Sequence, residues 1–429
     1  MHRLPLADEL PYQFLPPKPS KFWFQASRPL RRRLLRGEHQ VVAVDVTGLE
    51  HLRGVLDRGD SLLICPNHCA RADGLVLLDL ADRLGRPFCA MAAYQIFEGT
   101  AGLRKFLFPR LGMFPVDREG ADLAALKAAT EILSSARHPL LVFPEGEVYY
   151  LSDRLTPLRD GVAFLASRAH KALAERGKSV WIAPVGLKYR FPEGHDPLPA
   201  FHEKVKRLEE RILWWPRAEM PLIERIYRYA EAALALKELE YLGGTKSGPL
   251  RDRIVALRKD LLDRIEQRRS GKAIAGTDPE RIKELRRRCL DALEQTDITP
   301  EARAQVRRDL NDLYVAVQTL SYPGDYVFGV PTCERVAETL MKLDEDVLNA
   351  GTTKPAAALG PRRAVVRVGE PIDVGAFAGS GKRPREVIGT LTAELERRVQ
   401  AELDAIGGGR PLPESALGQA AQPQASSSG

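Results

Sequence analysis

Residues 61–78 read SLLICPNHCARADGLVLL, and the fold is decided here. Ser61 to Cys65 is a short β-rich apolar run and reads as a strand. Pro66 and Asn67 turn the chain. From Asp73 to Leu84 the apolar residues recur at helical spacing, with an acid in the first turn. His68 falls in the connection between strand and helix. Residues five apart on a straight helix point about 140° away from each other, so His68 and Asp73 cannot meet on one helix. With His68 in the turn before the helix, the two side chains converge. Asp73 then accepts from one ring nitrogen and fixes the tautomer, which leaves the other nitrogen as a general base. This is the base-and-orienter half of a triad, with a substrate hydroxyl in place of an enzymic serine. A capping Asp beside a structural His has the same spacing, so the pair alone does not assign chemistry.

Outward from this stretch the pattern repeats. VVAVDV (41–46), FCAMAA (88–93), PLLVF (139–143) and SVWIAPVGLKY (179–189) read as further strands, alternating with helical stretches at 73–84, 120–137 and 160–175. Strands separated by helices of that length imply a largely parallel sheet with helices on its faces, and reactive residues just past the carboxyl ends of strands. From residue 191 to about 354 the chain becomes charged and helical. Asp278-Pro279-Glu280 and Thr299-Pro300-Glu301 open helices with a cap, a proline and an acid. Ile254, Leu257, Leu261 and Ile265 keep the spacing of a packed face, as do Ile282, Leu285 and Cys289. A strand pattern returns in RAVVRVGEPIDV (363–374), followed by an amphipathic helix to about 406.

The expected organisation is therefore an aromatic and basic segment at 1–40, an α/β core at 41–190, a charged helical insertion at 191–355, and a strand and helix completing the core at 356–407. A low-complexity tail at 408–429 lacks core-forming residues and reads as disordered.

Composition narrows the function classes. The chain of 429 residues carries a net charge of +7, which favours anionic partners without choosing among them. The basic clusters, Arg286-Arg287-Arg288 among them, accompany no nucleic-acid motif, so no nucleic-acid partner is expected. Five cysteines form no CxxC pair, which suits a reducing, cytoplasmic setting. No run of about 18 apolar residues is present to span a bilayer. The stretch YQFLPPKPSKFWFQASRPLRRRLLRG (12–37) mixes Phe22, Trp23 and Phe24 with Arg28, Arg31, Arg32, Arg33 and Arg36. Aromatic rings beside arginines suit an anchor lying on a membrane surface; packing of this segment across its own domain is the alternative.

Four blocks carry a resemblance. PNHCARADGLVLL (66–78) resembles the His-x-x-x-x-Asp block of the glycerophospholipid acyltransferase family. LGMFPVDREG (111–120) is similar to its second block through Gly112, Phe114 and Arg118. LLVFPEGEVYY (140–150) resembles the third, with Phe143, Pro144, Glu145 and Gly146 all matching. IAPVGLKY (182–189) is similar to the fourth, with Pro184 and Val185 in place. The resemblance implies a glycerolipid acyltransferase-like sheet flanked by helices, with the helical insertion as an extra. It also implies His68 and Asp73 as the catalytic pair, and Gly112, Phe114, Arg118, Phe143, Pro144, Glu145, Gly146 and Pro184 as substrate-binding residues. Arg118 would hold an acceptor phosphate, and no metal or cofactor is called for.

The implied reaction moves an acyl group from acyl-CoA or acyl-carrier protein to the hydroxyl of a lysophospholipid or glycerol-phosphate-type acceptor, at a membrane met through the N-terminal segment. One departure matters. Glu147 and Val148 stand where the family commonly has a hydroxyl residue and an arginine, so a phosphate contact is missing unless Arg154 or Arg159 replaces it. An acceptor without a phosphomonoester is therefore a second reading. A non-catalytic membrane scaffold on the same fold is a third, and a thioester hydrolase a more distant fourth. No partner of the insertion can be named from its residues.

Overall fold

The computed structural model describes residues 12–97, 102–117, 122–293, 295, 297–348, 356–379, 381 and 383–418. They fall into two units.

The α/β unit comprises residues 7–190 and 362–407. It opens with two short helices, α1 (Lys21–Ala26) and α2 (Arg28–Gly37). There follow β1 (Val41–Thr47), α3 (Leu49–Asp57), β2 (Ser61–Pro66), α4 (Asp73–Leu84), β3 (Cys89–Ala93), α5 (Leu103–Arg110), β4 (Met113–Val116), α6 (Leu123–Ser135), β5 (Leu140–Leu141), α7 (Gly161–Ala174) and β6 (Val180–Arg190). After the insertion come β7 (Arg362–Val368), β8 (Ile372–Asp373) and a final long helix (Pro384–Ile406).

The strands form one sheet in the order β1-β7-β6-β2-β5-β3-β4, with β8 also on β6. From β6 to β4 every pairing is parallel, as the alternation of strands and helices requires. β1 and β7 are parallel to each other but run against β6. Side chains alternate across the sheet. Leu62 and Ile64 of β2 pack with α3 and α4 on one face, whereas Leu63 and Cys65 pack with α6, α7 and the long C-terminal helix on the other. The segment 111–120, read only as a motif, contains the edge strand β4. The pattern is short and broken by Pro115, a residue tolerated where an N–H need not be donated.

The sheet accommodates the insertion simply. β6 and β7 are antiparallel neighbours, with Arg190 opposite Arg363. The inserted residues leave and re-enter where a tight hairpin would otherwise stand. Its ends are held together by the ladder, so its length costs the sheet little.

The helical unit comprises the described parts of 191–361 and 408–418. Its helices include Leu198–Arg211, Leu222–Leu242, Leu250–Ser270, Asp278–Leu293, Pro300–Leu320 and Cys333–Leu343. Ile254, Leu257, Leu261, Ile265, Ile282, Leu285 and Cys289 share one buried cluster, as their spacing predicts. Thr299 caps its helix by accepting from the Ala302 N–H. Arg288 and Arg287 of the basic cluster pair with Glu284.

Residues 408–418 depart from the expected disorder. Cys333 N–H donates to the Arg410 carbonyl and Leu412 N–H to that of Pro331, while Leu412 and Ala416 are buried. Composition misled because two apolar residues and a few backbone bonds suffice to dock a segment onto a surface already built. Residues 419–429 lie outside the described residues.

Candidate active site

The site gathers at the carboxyl ends of β2 and β5. Asn67 closes β2: its side-chain amide donates to the Leu187 carbonyl and accepts from the Leu187 N–H at 3.0 and 2.8 Å. This pins the turn to β6 and sets the place of His68. Asp73, the first residue of α4, is wholly buried. Its Oδ2 lies 2.8 Å from His68 Nδ1 and also accepts from the Cys69 and Ala70 N–H groups at 2.8 and 2.9 Å. The carboxylate thus reaches back over the turn that precedes its own helix, the convergence that the five-residue spacing demanded. With Nδ1–H donated to Asp73, the Nε2 lone pair is left for another proton. The imidazole stacks on Phe143 with ring centroids 3.9 Å apart, and its side chain remains about one-fifth exposed. The base is held on one side and open on the other.

Glu145 is buried and acts on backbone. One carboxylate oxygen accepts from the His68 N–H at 2.6 Å and the other from the Thr156 N–H at 3.1 Å. Burial pushes its carboxyl up to about 7, against the hydrogen bonds that favour the charged form. Its oxygens thereby clamp the His68 turn to the 150s loop. Pro144 offers its carbonyl to the Arg159 N–H at 3.0 Å. Gly146 has φ 78°, and a Cβ there would lie 2.7 Å from Arg159 Nε and Cζ, so the guanidinium rests directly against this glycine. Arg159 Nε is buried without a hydrogen-bond partner among the described residues.

Three of the expected ligands are closely packed in this structure. Phe114 is fully buried in the apolar layer under α6 and α7, edge-on to Phe14. Gly112 has φ 91°, and any Cβ would overlap the Phe88 carbonyl oxygen. Pro184 is buried mid-strand opposite Cys65, its carbonyl accepting from the Gly369 N–H. Arg118 lies outside the described residues.

One residue of the site escaped the sequence reading. The Tyr189 hydroxyl donates to Asp73 Oδ1 at 2.7 Å. Burial, with the Asp73 charge beside it, holds this phenol protonated well above its ordinary range, so it is a permanent donor. Val185, Leu187 and Tyr189 share one face of β6. Counting by twos from Val185 would have aimed Tyr189 at α4, although nothing local says that it meets Asp73.

With this geometry in place, one comparison with known families bears on the core. Residues 43–188 match the family model described as Acyltransferase. The matched segment is about a third of the chain and contains His68, Asp73, Phe143, Glu145 and all but one residue, Tyr189, of the hydrogen-bonded site. It supports an acyltransferase and leaves the helical unit and the 362–407 segment unmatched. No curated protein matches the chain. Among the described residues no three His, Cys, Asp or Glu side chains are grouped to hold a metal ion, and the five cysteines are buried and form no disulfide. Among the same residues no helix is long and apolar enough to cross a membrane.

Proposed function

We propose that the α/β unit transfers a fatty acyl group from acyl-CoA or acyl-carrier protein to the hydroxyl of a lysophospholipid or glycerol-phosphate-type acceptor, in phospholipid synthesis or remodelling. The observation that carries this reading is the His68–Asp73 pair, with Nδ1 committed to a wholly buried carboxylate and Nε2 left open. His68 Nε2 takes the hydroxyl proton as the acceptor oxygen bonds to the thioester carbonyl carbon. The C–S bond then breaks, and the proton passes from the imidazolium to the departing thiolate. Asp73 stabilises the imidazolium between these steps, and Glu145, by gripping the His68 N–H, holds the base in register. The test is acyl transfer by purified His68→Ala with folding checked by circular dichroism. Loss of transfer in a folded protein is expected, and retained transfer refutes the mechanism.

The acceptor's anionic group is assigned to Arg159. Its guanidinium lies at the Gly146 loop, next to the clamp on His68, and supplies what Val148 lacks. Glu147 and Val148 favour a second reading in which the acceptor bears no phosphomonoester. Arg159→Ala and Arg118→Ala, each assayed on phosphorylated and neutral acceptors, separate the two, since only a phosphate-holding arginine gives a large selective loss.

Approach to lipid is assigned to α1, α2 and α5. Phe22 and Leu30 are exposed beside exposed Arg28, Arg32, Arg33 and Arg36, and Trp23 packs edge-on to Phe106 of α5, where Leu103 is also exposed. Arg31 does not belong to this surface. It is buried, paired with Asp82, and holds α2 to α4. In this reading the protein lies peripherally on the cytoplasmic side of a membrane.

A further inference from the structure

The helical unit carries a feature that its own packing does not use. Helix Leu198–Arg211 ends in a Schellman turn: Leu213 N–H donates to the Glu210 carbonyl at 3.0 Å and Trp214 N–H to that of Glu209 at 2.9 Å. The left-handed position of this turn, where glycine is usual, is held by Leu213 with φ 60°. Leu213 is 94% exposed, and Trp215, two residues on, is 88% exposed. A leucine here carries backbone strain and leaves its side chain in water, so folding alone would favour a glycine.

The surroundings of the tip are basic. Lys206, Arg207, Arg211, Arg217 and Arg228 are exposed, against Glu210 and Glu219 as the exposed acids of residues 206–228. The Arg228 guanidinium lies over the Trp214 ring, 4.8 Å from its centroid.

We propose that residues 212–217 form a membrane-docking tip, in which Leu213 and Trp215 enter the head-group layer of an anionic bilayer and the arginines meet lipid phosphates. Two protruding apolar side chains with a cationic collar suit a fluid surface, which takes them in without a preformed pocket. Tryptophan is favoured at that depth, where its ring is half apolar and its N–H is wet. The α1, α2 and α5 surface is a different part of the chain, and this inference stands whether or not His68 transfers acyl groups.

The experiment uses the full chain and two vesicle types, phosphatidylcholine with phosphatidylglycerol and phosphatidylcholine alone. Because the five native cysteines are buried, Ala218→Cys can carry an environment-sensitive dye beside the tip. Anionic vesicles should shift the dye emission to the blue. Leu213→Gly should raise Tm by roughly one to three degrees by relieving the strained position, yet lower the vesicle-bound fraction several-fold. Leu213→Asp with Trp215→Asp should remove the dye shift. Three results overturn the proposal: Leu213→Gly binding vesicles like the parent, a dye that stays unshifted on vesicles that carry the protein, or a dimer in light scattering that the double variant converts to monomer, which would make a second copy the occupant.

Discussion

Tyr189→Phe isolates one hydrogen bond at the centre of the site. Phenylalanine keeps the ring between β6 and α4 and removes only the O–H that donates to Asp73 Oδ1 at 2.7 Å. Asp73 is fully buried, so water cannot replace the lost donor, while its Oδ2 keeps the His68, Cys69 and Ala70 donors. A hydrogen bond to a charged group is worth about 1.5–3 kcal/mol, so denaturant unfolding should register a loss of about 2 kcal/mol. Catalysis should change in a distinct way. A carboxylate with one donor fewer holds its negative charge more fully toward His68 and stabilises the imidazolium. The plateau rate should fall less than about tenfold, because the Nδ1–Oδ2 contact survives. Denaturant unfolding and thioester release at one fixed pH read the two quantities. Unchanged kcat/KM together with unchanged stability would refute the assignment of Tyr189 as a positioning residue.

Other perturbations test the surroundings. Glu145 has a folded-state pKa raised to about 7, so its contribution to stability is fully present at low pH and is lost as pH rises from the ordinary carboxyl range to about 7, at about 1.4 kcal/mol per unit. Glu145→Gln should flatten that slope in urea titrations run across the same range. Gly112→Ala drives a Cβ into the Phe88 carbonyl at a left-handed φ and should cost about 3 kcal/mol in denaturant unfolding, while a kcat/KM loss in excess of the unfolded fraction would point to a substrate role instead. Arg31→Ala leaves Asp82 largely buried without its principal partner and should cost about 3–5 kcal/mol, read as a drop in Tm. Arg32→Ala and Arg33→Ala should leave Tm in place and each weaken binding to anionic vesicles by about 1 kcal/mol.

The legible part of this protein is the part in which partners are near in the chain. A strand, a two-residue turn, His68 and a helix opened by Asp73 occupy 18 consecutive residues, 61–78, and their covalent spacing leaves few ways for the imidazole and carboxylate to avoid each other. The helical insertion announced itself through capping residues and the spacing of Ile254, Leu257, Leu261 and Ile265, again by local rules. The resemblance supplied the remaining candidate ligands, and a motif does not say how each is packed. Phe114 lies inside an apolar layer, Pro184 is buried in β6 opposite Cys65, and Gly112 sits where a carbonyl passes too close for any side chain.

Tertiary structure alone decided the rest. Tyr189 reaches Asp73 across 116 positions because β6 lies beside β2, and strand order is settled by which apolar faces can be covered at once. Glu145 grips the His68 N–H because β5 lies on the other side of β2 and delivers its carboxylate there. Docking of 408–418 and the exposure of Leu213 and Trp215 follow the same logic: each depends on which surface other segments have built or left uncovered. The sequence by itself determined the α/β pattern, the helical insertion and the meeting of His68 with Asp73, since short-range sterics and periodicity suffice for these. Burial, the third partner of the carboxylate and the water-facing tip are sums over distant segments, and those sums exist only once the sheet has assembled.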